Sequence, residues 1–167
     1  MIKSLLDYCL ENGRPELLEQ WDTERNGGLM PADVAAGSSV KRYWLCPKGH
    51  SFESKPGFRT TRSHGCPYCA NRAVLPGFND LATVRPDLAK EWHPDLNGDL
   101  TPQSVTVGSS RKAWWICEKG HVWQSRIDLR GGAQRSNCPV CAGNTSKSRV
   151  LHYGAVCEKS QHRSSNG

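Results

Sequence analysis

Long apolar runs are missing from this chain. None of its 167 residues belongs to an uninterrupted apolar stretch of the ~20 residues that a helical membrane span requires. Met1 to Leu10 carries no signal-peptide pattern either. Apolar residues are scarce overall, at 37% of the sequence, with aromatics at 8% and a mean hydropathy of -0.62. The first two absences lead us to expect a soluble cytoplasmic protein without membrane association. The third excludes one large core, so something beyond apolar burial must help to hold the fold.

Cysteine is not scarce. The chain has eight, a number that in a short secreted protein would suggest a disulfide framework. Six of them stand at metal-ligand spacing beside a histidine, which fits a reducing compartment and thiols kept free for metal. The formal charge is +6 with cysteines counted as neutral thiols, and falls to about +4 once six thiolates hold two zinc ions. The chain stays basic, which is compatible with a nucleic-acid partner.

Laying residues 17–69 over 88–141 exposes a duplication. At an offset of 71, Trp21 falls on Trp92, Asn26 on Asn97, Pro31 on Pro102 and Gly37-Ser38-Ser39 on Gly108-Ser109-Ser110. Trp44-Leu45-Cys46 falls on Trp115-Ile116-Cys117, and Gly49-His50 on Gly120-His121. One inserted residue later, Cys66-Pro67-Tyr68-Cys69 meets Cys138-Pro139-Val140-Cys141. Each copy predicts a short helix with proline in its first turn, over Pro15–Trp21 and Pro86–Trp92. A turn-rich stretch with Asn26-Gly27-Gly28 or Asn97-Gly98 follows, then a strand, Lys41–Leu45 or Lys112–Ile116. The second strand is expected over Ser51–Lys55 in the first copy and, from its period-two alternation, over Val122–Leu129 in the second.

Two ligand sets emerge: Cys46, His50, Cys66 and Cys69, then Cys117, His121, Cys138 and Cys141. The first pair of each is Cys-x3-His, with glycine before the histidine to allow the reversal that aims both side chains at one ion. The second pair is Cys-Pro-x-Cys, a stiffened knuckle. Thiolates favour zinc or iron–sulfur over hard cations, and the histidine in both copies selects zinc. Four protein ligands close the coordination sphere and leave no place for an activated water, so two structural Zn2+ ions are expected. Cys9 and Cys157 read as lone thiols, and His64, His93, His152 and His162 lack a paired cysteine at ligand spacing.

The expected architecture is therefore small, metal-stabilised and α+β. It has two tandem zinc-ribbon or treble-clef-like modules, each a short helix plus a β-hairpin around one zinc. Residues 1–75 would form the first module with an N-terminal helix, 76–144 the second, and 145–167 a basic, largely disordered tail.

The motifs also carry a resemblance. Gly77-Phe78-Asn79-Asp80-Leu81-Ala82-Thr83, Pro86-Asp87-Leu88-Ala89-Lys90-Glu91-Trp92-His93-Pro94, Trp115-x-Cys117-x-x-Gly120-His121-x-Trp123 and Cys138-Pro139-x-Cys141 resemble a bacterial zinc-ribbon, treble-clef-like tandem-repeat family of uncharacterised function. The second copy matches almost throughout. The first departs at Trp21-Asp22-Thr23, Leu29-Met30-Pro31 and Phe52 but keeps its four ligands. Family members, some fused to endonuclease-like domains, imply a DNA-related context and an endonuclease-type protein partner.

Nucleic-acid binding, with DNA favoured, is the leading functional reading. Basic positions recur between copies, Lys48 with Lys119, Lys55 with Arg126 and Arg59 with Arg130. Arg126 and Arg130 would share one strand face, as would Lys55 and Arg59, and Arg62, Arg111 and Arg135 would extend the patch. The same charges also read as an ordinary solvated sheet face. Trp44 and Trp115 are expected to cover the metal, Trp21 and Trp92 to dock each helix, and Tyr43 and Trp114 to face outward for an aromatic contact. A protein-interaction adaptor is the alternative. A nuclease would need a base histidine and an open divalent-metal site, and no repeated His or carboxylate pair outside the zinc ligands supplies one. Asp87, Glu91, Asp95 and Asp99 read as a helix face and turn residues, so no enzyme is expected.

Overall fold

The computed structural model describes residues 2–62, 65–132, 137–143 and 150–152. The chain divides into two compact units, Met1–Arg72 and Ala73–Gly167. Arg135, His64, Cys157, His162 and all of the tail but residues 150–152 lie outside the described residues. Among the described residues no helix is long and apolar enough to cross a membrane.

Module one opens with α1 (Leu5–Glu11), where the Ser4 side chain accepts the Asp7 N–H as an N-cap. Next come α2 (Pro15–Glu19), a 3-10 turn at Pro31–Asp33, β1 (Arg42–Leu45), β2 (Ser51–Ser54) and α3 (Pro56–Thr61). Module two repeats this with α4 (Leu81–Val84), α5 (Pro86–Ala89), a 3-10 turn at Pro102–Ser104, β3 (Lys112–Ile116), β4 (His121–Arg126) and α6 (Ile127–Gly131). The repeat begins earlier than its tryptophans suggest. Asp80 caps α4 as Ser4 caps α1, and Leu81 N–H donates to Val105 C=O at 2.8 Å as Leu5 N–H does to Val34 C=O at 2.7 Å. A different spacing before the Pro-led helix hides this relation in the sequence.

The strands pair as antiparallel hairpins, with Trp44 opposite Phe52 and Trp115 opposite Trp123. Strand β5 (Val150–His152) adds to β4, a pairing that the expected disordered tail did not include. The outer edge of each first strand is closed by an asparagine. Asn26 Oδ1 accepts Tyr43 N–H while its Nδ2 donates to Tyr43 C=O, both at 2.9 Å. Asn97 does the same to Trp114 at 2.7 and 3.0 Å. A side-chain amide, buried in module one and half-buried in module two, thus replaces one residue of a missing strand and satisfies a backbone N–H that would otherwise need water.

The expected strand Val122–Leu129 ends instead at Arg126, and α6 follows. Period two gives way to helical spacing: Ile127 and Arg130 are buried while Leu129 is exposed. Module one carried the warning, because Pro56 begins α3 at the position matching Ile127 and removes the N–H that a longer strand needs. Both predicted leading helices are also shorter than expected, ending at Glu19 and Ala89.

Each module has its own core, built around an edge-to-face tryptophan pair. Ring centroids are 5.2 Å apart for Trp21–Trp44 and again for Trp92–Trp115. A guanidinium completes it. Arg59, 3% exposed, lies 4.9 Å from the Trp44 ring and 5.5 Å from Phe52, and donates to Gln20 Oε1 at 2.6 Å. Arg130, 2% exposed, lies 4.7 Å from Trp115 and 5.0 Å from Trp123, and donates to Glu91 at 2.5 Å. Flat aromatic faces offset part of the hydration that each buried cation loses.

Truncating Arg130 to Ala would remove both ring contacts and open a gap between two indoles. We expect module two to lose about 2 kcal/mol in urea denaturation of the zinc-loaded protein. Arg130→Lys should not restore it, because an ammonium lacks the planar face. A Lys variant of wild-type stability would show that charge alone suffices.

Candidate metal centres

Each ligand set is assembled from two local devices. The first is the tip of a hairpin. In module one Gly49 N–H donates to Cys46 C=O at 2.8 Å and Cys46 N–H to His50 C=O at 3.0 Å; module two repeats this at 2.8 and 3.1 Å. The reversal requires a left-handed residue, and Gly49 (φ 81°) and Gly120 (φ 77°) supply it. The second device is a single helical turn. Ala70 N–H donates to Cys66 C=O at 3.1 Å, then Arg72 N–H to Pro67 C=O at 2.8 Å and Asn71 N–H to Tyr68 C=O at 3.1 Å. Asn71 is left-handed (φ 52°), so the turn closes as a Schellman motif. Gly143 (φ 74°) stands at the matching place and donates to Val140 C=O at 3.1 Å. The helix that follows the second ligand pair in a treble clef is here one turn long.

These devices bring Cys46, His50, Cys66 and Cys69 together, and likewise Cys117, His121, Cys138 and Cys141, with the ligand atoms of each set within 4.8 Å of one another. In the first set His50 Nδ1 lies 3.5, 3.8 and 3.3 Å from the sulfurs of Cys46, Cys66 and Cys69. In the second His121 Nδ1 lies 3.4, 3.6 and 3.4 Å from those of Cys117, Cys138 and Cys141. The Cys46–Cys69 and Cys117–Cys141 sulfurs are each 3.9 Å apart, far beyond a disulfide bond. A tetrahedron with Zn–S of about 2.3 Å and Zn–N of about 2.0 Å has edges of about 3.8 Å (S to S) and about 3.6 Å (S to N). The donor sets therefore fit zinc in both size and chemistry, with Nδ1 as the histidine ligand atom.

The sulfurs are electrostatically unequal. Burial pushes the Cys46 thiol up, but backbone N–H groups of His50 and Lys48 and the neighbouring Cys66 and Cys69 sulfurs leave it below its ordinary value. Cys117 is lowered in the same way against burial, by His121 and Lys119 and then Cys138 and Cys141. Cys69 and Cys141 are pushed up to about 11, by burial and then by the hydrogen bonds that their thiols donate to the partner sulfurs and by the negative charge on those sulfurs. Three crowded thiolates are unstable until a cation joins them. Once a Zn2+ takes the four donors, no coordination position remains for water, and its role is structural.

The basic positions fall into different classes. Lys48, Lys119 and Arg126 are exposed and Lys55 is half-buried. Arg126 forms an ion pair with Asp128. Arg59 and Arg130 do not share a surface with Lys55 and Arg126. They lie in the cores because α3 and α6, rather than strands, carry them inward, and this corrects their expected place on a nucleic-acid face. Trp44 and Trp115 are fully buried, whereas Tyr43 and Trp114 are half-buried on the outer faces of β1 and β3. His93 is buried, and its Nδ1 accepts N–H groups of Asp95 and Leu96 at 3.2 and 3.3 Å, the role that Asp22 fills for Arg25 N–H in module one. Burial pushes its pKa down. Cys9 is a buried core thiol, raised by burial and then by the Glu16 charge.

Two outcomes follow from this geometry. Because the modules have separate cores, Cys69→Ser should lower zinc content from two ions to one and unfold only module one, as read by metal analysis and amide exchange. Retention of both ions would refute the ligand assignment. Cys69 and Cys141 keep their protons up to about pH 11, so zinc loading at neutral pH must expel protons. Affinity then rises with pH, by about tenfold per unit for each expelled proton. Competition against a chelator at about pH 6.5 and about pH 7.5, with the chelator's own proton release subtracted, would measure this, and a corrected affinity that stays constant would exclude thiolate ligation.

No match to a curated protein was found. A family model described as "Probable Treble clef zinc finger domain" matches the chain twice, over residues 17–72 and 88–144. The two matches span more than half of the sequence, and each encloses one complete Cys3His cluster. The chain therefore belongs to this treble-clef zinc finger family, as two modules in tandem.

Proposed function

We propose that the two modules form a non-catalytic nucleic-acid-binding unit, directed at DNA, with zinc in a purely structural role. The supporting observation is a charge segregation repeated within both modules. Residues 41–72, the hairpin and knuckles of module one, hold seven Lys or Arg against one acid, Glu53, whereas residues 1–40 hold three against seven. Residues 111–142 hold six against two, and residues 73–110 hold two against five. The acidic helical half and the basic zinc half thus face a polyanion very differently, even though the net charge is modest.

Removal of Arg59 and Arg130 to the cores does not empty the basic half. Lys41, Lys48, Arg62 and Arg72 stay exposed in module one, and Arg111, Lys112, Lys119 and Arg126 in module two. A Cys3His zinc centre carries a formal charge of about −1, and Lys48 or Lys119 stands in each hairpin tip beside it. Phosphate contacts from such scattered side chains give affinity without reading sequence. On this reading the unit binds rather than cleaves: coordination is closed, no further His or carboxylate metal cluster occurs among the described residues, and an endonuclease-type protein partner would supply any cleavage.

Fluorescence anisotropy of the zinc-loaded chain with duplex DNA, single-stranded DNA and RNA at two salt concentrations tests this reading. Binding should weaken steeply with salt, and replacing Lys48 and Lys119 together by Ala should reduce the log–log salt slope by about 2. Absence of binding at low salt would defeat the proposal and leave the protein-adaptor reading.

A further inference from the structure

The two modules are not equivalent on the outer side of α3 and α6. Phe58 projects from α3 with 46% of its surface exposed, and Leu129 takes its place on α6 at 53%. Around Phe58 the charge is positive. Lys55 Nζ lies 5.5 Å and the Arg62 guanidinium 5.7 Å from the ring centroid. Around Leu129 it is cancelled, because Arg126, the counterpart of Lys55, pairs with Asp128. Module one has Gly57 at that position, so no carboxylate from α3 competes for Lys55.

Phe58 also borders a cleft of about 340 Å³, large enough for a small planar ligand. Phe52, Pro67 and Phe58 give it apolar walls, Glu53 and Ser54 provide polar groups, and Arg62 and Arg72 stand at its cationic side. Arg72 is held there by a donated hydrogen bond to Gly65 C=O at 3.2 Å. An aromatic face flanked by cations, beside a cleft with hydrogen-bonding groups, suits a flat heteroaromatic ring attached to an anionic backbone. The cations lie at the loose end of the cation–π range, where the pairing is weaker than base stacking and yields to it. Glu53 lines the same cleft and disfavours a bare polyanion, but it offers an acceptor to a base's exocyclic amino group. A paired base cannot enter such a cleft.

We infer that module one carries a single-stranded DNA subsite, in which one unpaired base stacks on Phe58 and the flanking phosphates meet Lys55, Arg62 and Arg72. This rests on the nucleic-acid reading and narrows it to one module and one strand state. Module two, with Leu129 and a neutralised Arg126, contributes phosphate contacts only.

The test uses the full zinc-loaded chain and labelled oligonucleotides of about 12 nucleotides: single-stranded DNA, the matching duplex, single-stranded RNA, and a DNA strand made abasic at its central positions. Wild type should bind single-stranded DNA more tightly than the duplex, the abasic strand or the RNA. Phe58→Leu, which copies the residue that module two tolerates, should keep both zinc ions and weaken single-strand binding roughly tenfold while leaving duplex binding unchanged. Leu129→Phe should change neither. Phe58→Leu with wild-type single-strand affinity would overturn the subsite and leave the broader proposal standing. Tighter, Phe58-dependent binding of RNA would overturn the assignment to DNA. Loss of all binding, wild type included, would overturn both.

Discussion

Four donor atoms must reach the corners of one small tetrahedron, and most of each module's backbone serves that requirement. The hairpin tip presents Cys46 and His50 together, the helical turn presents Cys66 and Cys69, and the two devices are separated by β2 and α3. Without a cation the arrangement is electrostatically unfavourable, since the third thiol of each set resists ionisation up to about pH 11. Zinc therefore supplies the cohesion that an apolar content of 37% cannot. The elements that are short by ordinary standards, four- and five-residue helices and four-residue strands, are tolerable because none has to be stable alone.

Behind the metal, each core solves the same packing problem with slightly different chemistry. A tryptophan in the first strand receives a second tryptophan edge-on and an arginine on its face. Module one pairs that arginine with the neutral Gln20, module two with the carboxylate of Glu91. In both copies the guanidinium also lies over the ring of the strand tryptophan, a contact that the two modules share. The divergence on which the proposed subsite rests lies outside this frame. Phe58 and Leu129 are both exposed, and there the two modules carry different residues.

Much of the candidate site was legible from spacing. Cys-x3-His with glycine before the histidine and Cys-Pro-x-Cys are contiguous motifs whose geometry is local, and their repetition in register marks the eight residues that the fold gathers into two clusters. The strand ahead of the first cysteine was legible for the same reason. The misplaced residues were those whose environment is made by distant parts of the chain. Alternation over Val122–Leu129 imitated a strand, although Pro56 in the matching segment of module one already marked the start of a helix. The relation of α1 to α4 is hidden in the sequence because an altered loop length shifts it out of the offset that the tryptophans define.

The sequence by itself determined that the chain is a duplication, that each copy holds a Cys3His set, and that coordination is closed, because ligand identity and reach depend on a few consecutive residues. Only the tertiary structure decided which charges meet solvent. Arg130 is 39 residues from Glu91 along the chain, and so is Arg59 from Gln20. Burial of those guanidinium groups arises where a helix packs over a tryptophan contributed by another element, a contact that no local pattern of charges contains. The same packing turns Phe58 outward beside a cleft that β2 and the second knuckle complete. Local covalent geometry set the metal chemistry, and non-local packing set the surface that a partner would meet.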